Sequence, residues 1–277
     1  MLYAIRYRTS ESATMKNARR ILLTTLASAA CLSAQSAVVL TGTIRDFCVP
    51  TTGSCTAQPG FEGGGGGLIT GMVAPTLTGG LPTAGPSIAT GGTTATDFAK
   101  WYVTTPGVNL PIPTSLTLTE GPAGTFSYSN GSFFPIDGLG WGNQGRSHNY
   151  HFTMHLEGLL AFSDPTAGAD KTFTFTGDDD LWIFVDGKLV LDLGGVHGAT
   201  TGSFTEETLK SKGLSAGTAY DLDIFFAERH TVASSFAITT TLDISAPSGV
   251  PEPTGVLLVG TALLGLAASR RQMACKT

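Results

Sequence analysis

The chain has 277 residues, among them 40 Thr, 36 Gly and 14 Pro, and only 13% of it is charged. So much glycine and proline with so little charge excludes a long helical bundle or coiled coil and leaves a Thr- and Gly-rich β protein. The formal net charge of −5 hides an asymmetry: the first 36 residues hold five basic groups and one acid, and the tail from residue 249 holds three and one. The stretch between them keeps 8 basic and 19 acidic groups, a net of −11. A body this acidic repels phosphate backbones and anionic lipid, so nucleic acid is not an expected partner and cations are favoured small ligands. Its length suits one domain with a substantial core.

In chain order, Lys16, Arg19 and Arg20 precede an apolar run over residues 21–32. The small residues Ser33, Ala34, Ser36 and Ala37 follow. This is the order of a secretory signal peptide over residues 1–37, cleaved between residues 34 and 37, with Met1 or Met15 as the start. Export would remove Cys31, and Cys275 lies in the tail, so the body keeps Cys48 and Cys55 around Pro50 and Gly53. In an oxidising compartment that pair is expected to close a small loop as a disulfide.

The domain is expected over residues 38–247. Residues 38–47 read as a first strand. From about 49 to 96 the chain turns to Gly, Pro, Thr, Ser and Ala, including Gly63 to Gly67, and shows no apolar period. The favoured reading is an irregular insertion hanging off the domain, and the other is a functional surface. Alternation then returns over residues 172–176, over Tyr220, Leu222, Ile224 and Phe226, and over Phe236, Ile238, Thr240, Leu242 and Ile244. Residues 181–185 and 188–193 flank Asp186-Gly187, a dipeptide suited to the positive φ angles of a type I′ hairpin turn. Many short strands with Gly-rich connections predict an all-β fold, an antiparallel sandwich or barrel. Helices are expected only at the two ends.

The segment Gly177-Asp178-Asp179-Asp180 is the densest in chemistry. Three consecutive carboxylates repel one another, and a hard cation such as calcium, with six to eight oxygen ligands, relieves that repulsion; a solvated acidic turn is the other account. His148, His151 and His155 invite a transition-metal reading. On an extended strand, however, His151 and His155 would face one side and His148 the other. A hydrogen-bonded network of His148, His197, Glu228, Arg229 and His230 is the favoured alternative. Buried charges need partners, and because Glu228 and Arg229 are adjacent on a strand, theirs should lie elsewhere in the sequence. Trp182, Trp141 and Tyr150 are candidates to stack on sugar rings, or else core aromatics.

Two resemblances extend this reading. Val250-Pro251-Glu252-Pro253, an apolar run over residues 255–268 and then Arg270 and Arg271 resemble the PEP-CTERM sorting tag of Gram-negative bacteria. The run is short against the roughly 20 residues of a full span, and the arginines favour the cytoplasmic side. The resemblance implies transient inner-membrane anchoring through residues 255–268, recognition by an exosortase, cleavage near residues 251–253, and delivery to the cell surface or extracellular matrix. The second is carried by Phe133-Phe134-Pro135-Ile136-Asp137-Gly138, His148-Asn149-Tyr150-His151-Phe152-Thr153, the Asp hairpin ending in Gly194-Gly195-Val196-His197, and Ala227-Glu228-Arg229-His230-Thr231 with Ser235-Phe236. Together these resemble a fibro-slime domain, a branch of the PA14-like β-sandwich lectins and adhesins. The family's Asp-Asp pair, six residues and Asp-Gly fit Asp178-Asp179 and Asp186-Gly187.

That resemblance implies calcium held by Asp178 and Asp179 at a glycan-facing loop. Asp180 stands where the family usually has Gly, which would either add a ligand or close the pocket. Trp182, His197, Glu228 and His230 are the candidate ligand contacts. The leading expectation is therefore an exported, non-catalytic surface or matrix protein that binds polysaccharide or cell-surface glycan with calcium. One alternative is a structural component associating through exposed strand edges. Another is a glycoside hydrolase using Glu157 or Glu228 with an Asp of the cluster. The chain lacks the nucleophile elbow, the His-Glu-x-x-His helix and the phosphate loop of other common enzymes.

Overall fold

The structure, a computed structural model, describes residues 36–48, 60–64, 66–164 and 170–248. The signal segment, Cys55, and the sorting residues Pro251, Glu252, Pro253, Arg270 and Arg271 lie outside the described residues. Cys48 is buried and disulfide-bonded. No helix among the described residues is long and apolar enough to cross a membrane.

The all-β expectation is met. Eleven strands, β1 (Ala37–Phe47), β2 (Asn109–Glu120), β3 (Phe126–Asn130), β4 (Phe152–Ala161), β5 (Thr172–Gly177), β6 (Asp180–Val185), β7 (Lys188–Leu193), β8 (Thr200–Thr205), β9 (Tyr220–Glu228), β10 (Phe236–Thr240) and β11 (Asp243–Ser245), form one sheet. The order is β7-β6-β9-β4-β1-β2-β3-β10-β5-β8, with β11 beside β4, and the pairings are antiparallel. The sheet rolls until its ends nearly meet: a Cβ on Gly202 of β8 would lie 2.8 Å from Leu191 of β7. Among the described residues two short α-helices, α1 (Ala95–Phe98) and α2 (Glu206–Ser211), are capped by Thr94 and Thr205, and neither was legible as an amphipathic run.

Alternation explains the inner core. Leu181, Ile183 and Val185 of β6, Leu222, Ile224 and Phe226 of β9, Phe173 and Phe175 of β5, and Phe236 and Ile238 of β10 all point into one apolar cluster. Each such side chain contributes about 1.5–3 kcal/mol on full burial. Asp186 and Gly187 have φ of 54° and 66° between the paired Val185 and Lys188, as the type I′ turn requires. The predicted alternation over 236–244 divides, because β10 pairs with β3 and β5 whereas β11 crosses to β4.

The glycine-rich segment corrects its expectation. Instead of hanging off the domain, Phe61, Met72 and Val73 join Phe98, Trp101 and Tyr102 in a second cluster over the outer face of β6 and β9, against Trp182, Phe184, Phe225 and Ala227. All six residues of β6 are consequently buried. The cover is sewn to the hairpin by main-chain bonds: Gly67 N to Val196 O at 2.7 Å, Ile69 N to Gly194 O at 2.6 Å and Leu77 N to Gly187 O at 2.8 Å. Asp192 adds a side-chain tie, accepting from Gly71 N at 2.7 Å and from Trp182 Nε1 at 3.0 Å. Irregular backbone can bury apolar residues without any period, which is why the pattern was silent.

Candidate ligand site at the aspartate hairpin

Between the end of β5 and the start of β6 the chain turns through Asp178 and Asp179. Asp179 adopts φ of 49°, a left-handed conformation that Asp tolerates better than most residues. The turn separates the three carboxylates. Asp178 and Asp179 open into a pocket of about 200 Å³, together with His197, His230 and the apolar Val196, Val232 and Ala233. Val232 stands at its edge, 82% exposed.

Each of the two lining carboxylates is tied by one oxygen. Ser235 Oγ donates to Asp178 Oδ1 at 2.5 Å, and Asp179 Oδ2 accepts from Arg229 N at 2.7 Å and His230 N at 3.0 Å. The second oxygen of each, Asp178 Oδ2 and Asp179 Oδ1, has no hydrogen bond from a described residue. Burial pushes the Asp179 carboxyl above the ordinary carboxylate range, against the pull of those two backbone donors. Two untied carboxyl oxygens in one pocket form a donor set that suits a hard cation completed by water. His197 also lines the pocket, with Nε2 3.1 Å from Leu193 O and Nδ1 3.0 Å from Gly198 O.

Asp180 corrects its assignment as a metal ligand. It is fully buried, and both oxygens are taken: Oδ1 accepts from Gly195 N at 2.6 Å and Oδ2 from Arg229 Nη1 at 3.1 Å. Arg229, equally buried, is a hub rather than a surface charge. Its Nη2 donates to the carbonyls of Gly60, Gly63 and Gly91, the last two at 2.9 and 2.7 Å, and the guanidinium lies 5.3 Å from the Trp101 ring centre. The glycines permit this approach. Gly92 has φ of 79°, and a Cβ there would fall 2.2 Å from Gly64 N.

Trp182 and Glu228 are corrected too. Trp182 is a core aromatic of the outer cluster, with no exposed surface to stack on a sugar. Glu228 is fully buried at the end of β9, outside the pocket lining, and among the described residues its oxygens make no well-formed hydrogen bond. Burial first, and then the Asp179 charge, push its carboxyl well above the usual range. As expected, the partner of Arg229 is distant in sequence, whereas the ion-pair partner expected for Glu228 is not found among the described residues.

The three central histidines are apart, each against its own carboxylate at 2.7 Å: His148 with Asp137, His151 with Glu62 and His155 with Asp223. The alternation argument fails for His151, which precedes β4 with φ of 62°. His230 Nε2 lies 4.0 Å from Glu62, so the covering segment also reaches the back of the site. Glu62 and Val232 were missed by sequence reasoning. Val232, an apolar residue in a polar loop, carried a faint signal, and Glu62 none.

Residues 140–253 match the family model of the PA14 domain. Protein psiQ of Dictyostelium discoideum is 38% identical over 165 residues, a match covering 54% of this chain and 16% of that protein. Protein psiD of the same organism is 38% identical over 156 residues, covering 53% and 29%. The chain thus spans less than a third of these relatives. Among solved structures, a PA14 sugar-binding domain from an RTX adhesin is similar at 14% identity and a TM-score of 0.35, covering 76% of this chain and 95% of that one. The PA14 domain of the MpAFP antifreeze protein is similar at 17% identity and a TM-score of 0.27, covering 49% and 68%.

Proposed function

We propose that this is an exported surface or matrix protein that binds carbohydrate, with calcium, at the pocket over Asp178 and Asp179. The carrying observation is the pair of neighbouring carboxylates, each anchored by one oxygen and open through the other, beside the exposed apolar Val232. The match of residues 140–253 to the PA14 family supports the carbohydrate class. Bound calcium would supply a Lewis-acidic point on which vicinal sugar hydroxyls can replace water. The protein's part is to hold the two carboxylates in place through Ser235 and the Arg229 and His230 amides. It also offers the apolar wall of Val196, Val232 and Ala233 to the carbon face of a sugar ring. The terminal segments supply the address: secretion, exosortase processing near Pro251 to Pro253, and delivery to the surface or matrix.

The alternative of self-association through open strand edges finds the β7 edge partly covered. Thr76 bridges Lys188, Leu189 N donates to Pro75 O at 2.9 Å, and the side chains of β7 reach β8. The hydrolase alternative finds Glu228 sealed, and neither Glu228 nor Glu157 lines the pocket with the Asp pair.

The test is a thermal melt of the purified protein in calcium and in chelator, beside an Asp178→Asn, Asp179→Asn variant, followed by a glycan array in calcium. A ligand bound only by the native state raises Tm by mass action. A calcium-dependent rise lost in the variant, with glycan binding lost in parallel, is expected. No rise and no glycan retained on the array overturns the proposal.

A further inference from the structure

A separate group on the outer sheet face is not used by the pocket. His155 and Glu157 stand two apart on β4, so their side chains share one face. Asp223 of β9 is the cross-strand partner of Glu157. One ligand atom from each of the three lies within 4.8 Å of the other two.

We propose that His155, Glu157 and Asp223 form a binding site for a divalent first-row transition ion, with zinc the fitting case. An imidazole and two carboxylates are a donor set for zinc, which leaves a fourth tetrahedral position for water. Two ligands about 2 Å from a tetrahedral zinc sit about 3.3 Å apart. His155 Nε2 and Asp223 Oδ1, at 2.7 Å, open slightly to admit the ion, and Glu157 closes from its longer distance. Glu157 is the exposed member and has a flexible stem, so that movement meets no packed neighbour. The other two are already placed. The His155 ring lies flat on Phe225, centres 4.1 Å apart and 13° from parallel, and Phe225 is itself locked in the outer core. The site sits where the covering segment ends: Thr153 is sealed under Trp101 O at 2.5 Å, His155 is partly open and Glu157 is exposed.

Charge supports the assignment. Among the described residues no Lys or Arg pairs with Glu157 or Asp223, so two carboxylates share one imidazole on an already acidic body. A divalent ion neutralises that excess, and rigid β-sheet presentation limits the ordering cost of binding.

The test uses the full chain without a histidine tag, titrated with Co²⁺ as a spectroscopic stand-in for zinc and then displaced by Zn²⁺. The expected result is visible d–d absorption at one equivalent, bleached by zinc, unchanged in the Asp178→Asn, Asp179→Asn variant and abolished in His155→Gln. Glu157→Gln, an exposed change that leaves folding intact, should weaken cobalt binding about tenfold or more, since even outer-shell losses cost that much. Absence of d–d bands, or bands that survive both His155→Gln and Glu157→Gln, as for cobalt held by a cysteine elsewhere in the chain, overturns the proposal.

Discussion

Strand β6 and the second half of β9, from Ile224 onward, are buried on both faces, but by different means. Their inner face meets other strands, so Leu181, Ile183, Val185, Leu222, Ile224 and Phe226 repeat with the period of the pleat and are held by apolar area alone. Their outer face meets irregular chain. There Trp182, Phe184 and Phe225 are sealed by Phe61, Met72, Phe98 and Trp101, and the backbone that carries Phe61 and Met72 is gathered by one buried cation, Arg229. The inner core therefore depends on many exchangeable side chains, and the outer cover on a few polar contacts that have no substitute. Removing a partner from a buried ion pair costs more than removing one packed residue whose neighbours can relax.

The comparison breaks most sharply at Arg229. Arg229→Met leaves Asp180 buried without its counter-ion, and a loss of about 3–5 kcal/mol is expected in denaturant unfolding. Hydrogen exchange should show faster exchange for the amides of Ile69 and Leu77, which bond the cover to the hairpin. If Arg229→Met unfolds no more easily than wild type, the hub reading is wrong. Ile183→Val, on the inner face of the same strand, should cost only about 0.5–1.5 kcal/mol, with cover exchange unchanged.

Gly92→Ala comes next. It puts a Cβ into the Gly64 backbone at a left-handed φ, so about 1–3 kcal/mol should be lost in a thermal melt, again with loosening of the cover first. A smaller effect is set by pH. Asp46 is buried on β1 with its Oδ2 accepting from Trp141 N at 2.7 Å, and burial raises its pKa from 3.8 to about 6. Because the folded pKa lies above the unfolded one, its contribution is fully present below about pH 4. It declines as pH rises to about 6, by at most about 3 kcal/mol. Asp46→Asn should flatten the Tm profile between pH 4 and 6, and an unchanged slope would remove Asp46 as its source. Least is expected of the exposed pair Lys171 and Asp243, 2.9 Å apart: Lys171→Ala should shift stability by about 0–1 kcal/mol.

The same contrast explains what could be read in advance. Periodic strands and the Asp186-Gly187 turn follow from local chemistry, and so the all-β class was legible. Asp178, Asp179, His197 and His230, candidates taken from separate motifs, line one pocket. The roles of Asp180, Trp182 and Glu228 were not legible. One residue along a strand exchanges pocket for interior, and the left-handed turn at Asp179 decides which residue faces which way. The cover escaped because its apolar residues are spaced by contact with a distant strand, not by any repeat of their own.

Arg229 occupies both regions at once. Its guanidinium holds the carbonyls of the cover while its amide, beside that of His230, holds the Asp179 carboxylate at the pocket. If the pocket binds the ligand proposed above, Arg229 would link docking of the cover to occupation of the pocket. By linkage, whatever factor docking gives to ligand affinity, the ligand must return to docking. What the two processes would share is the coupling term alone, measurable from either side.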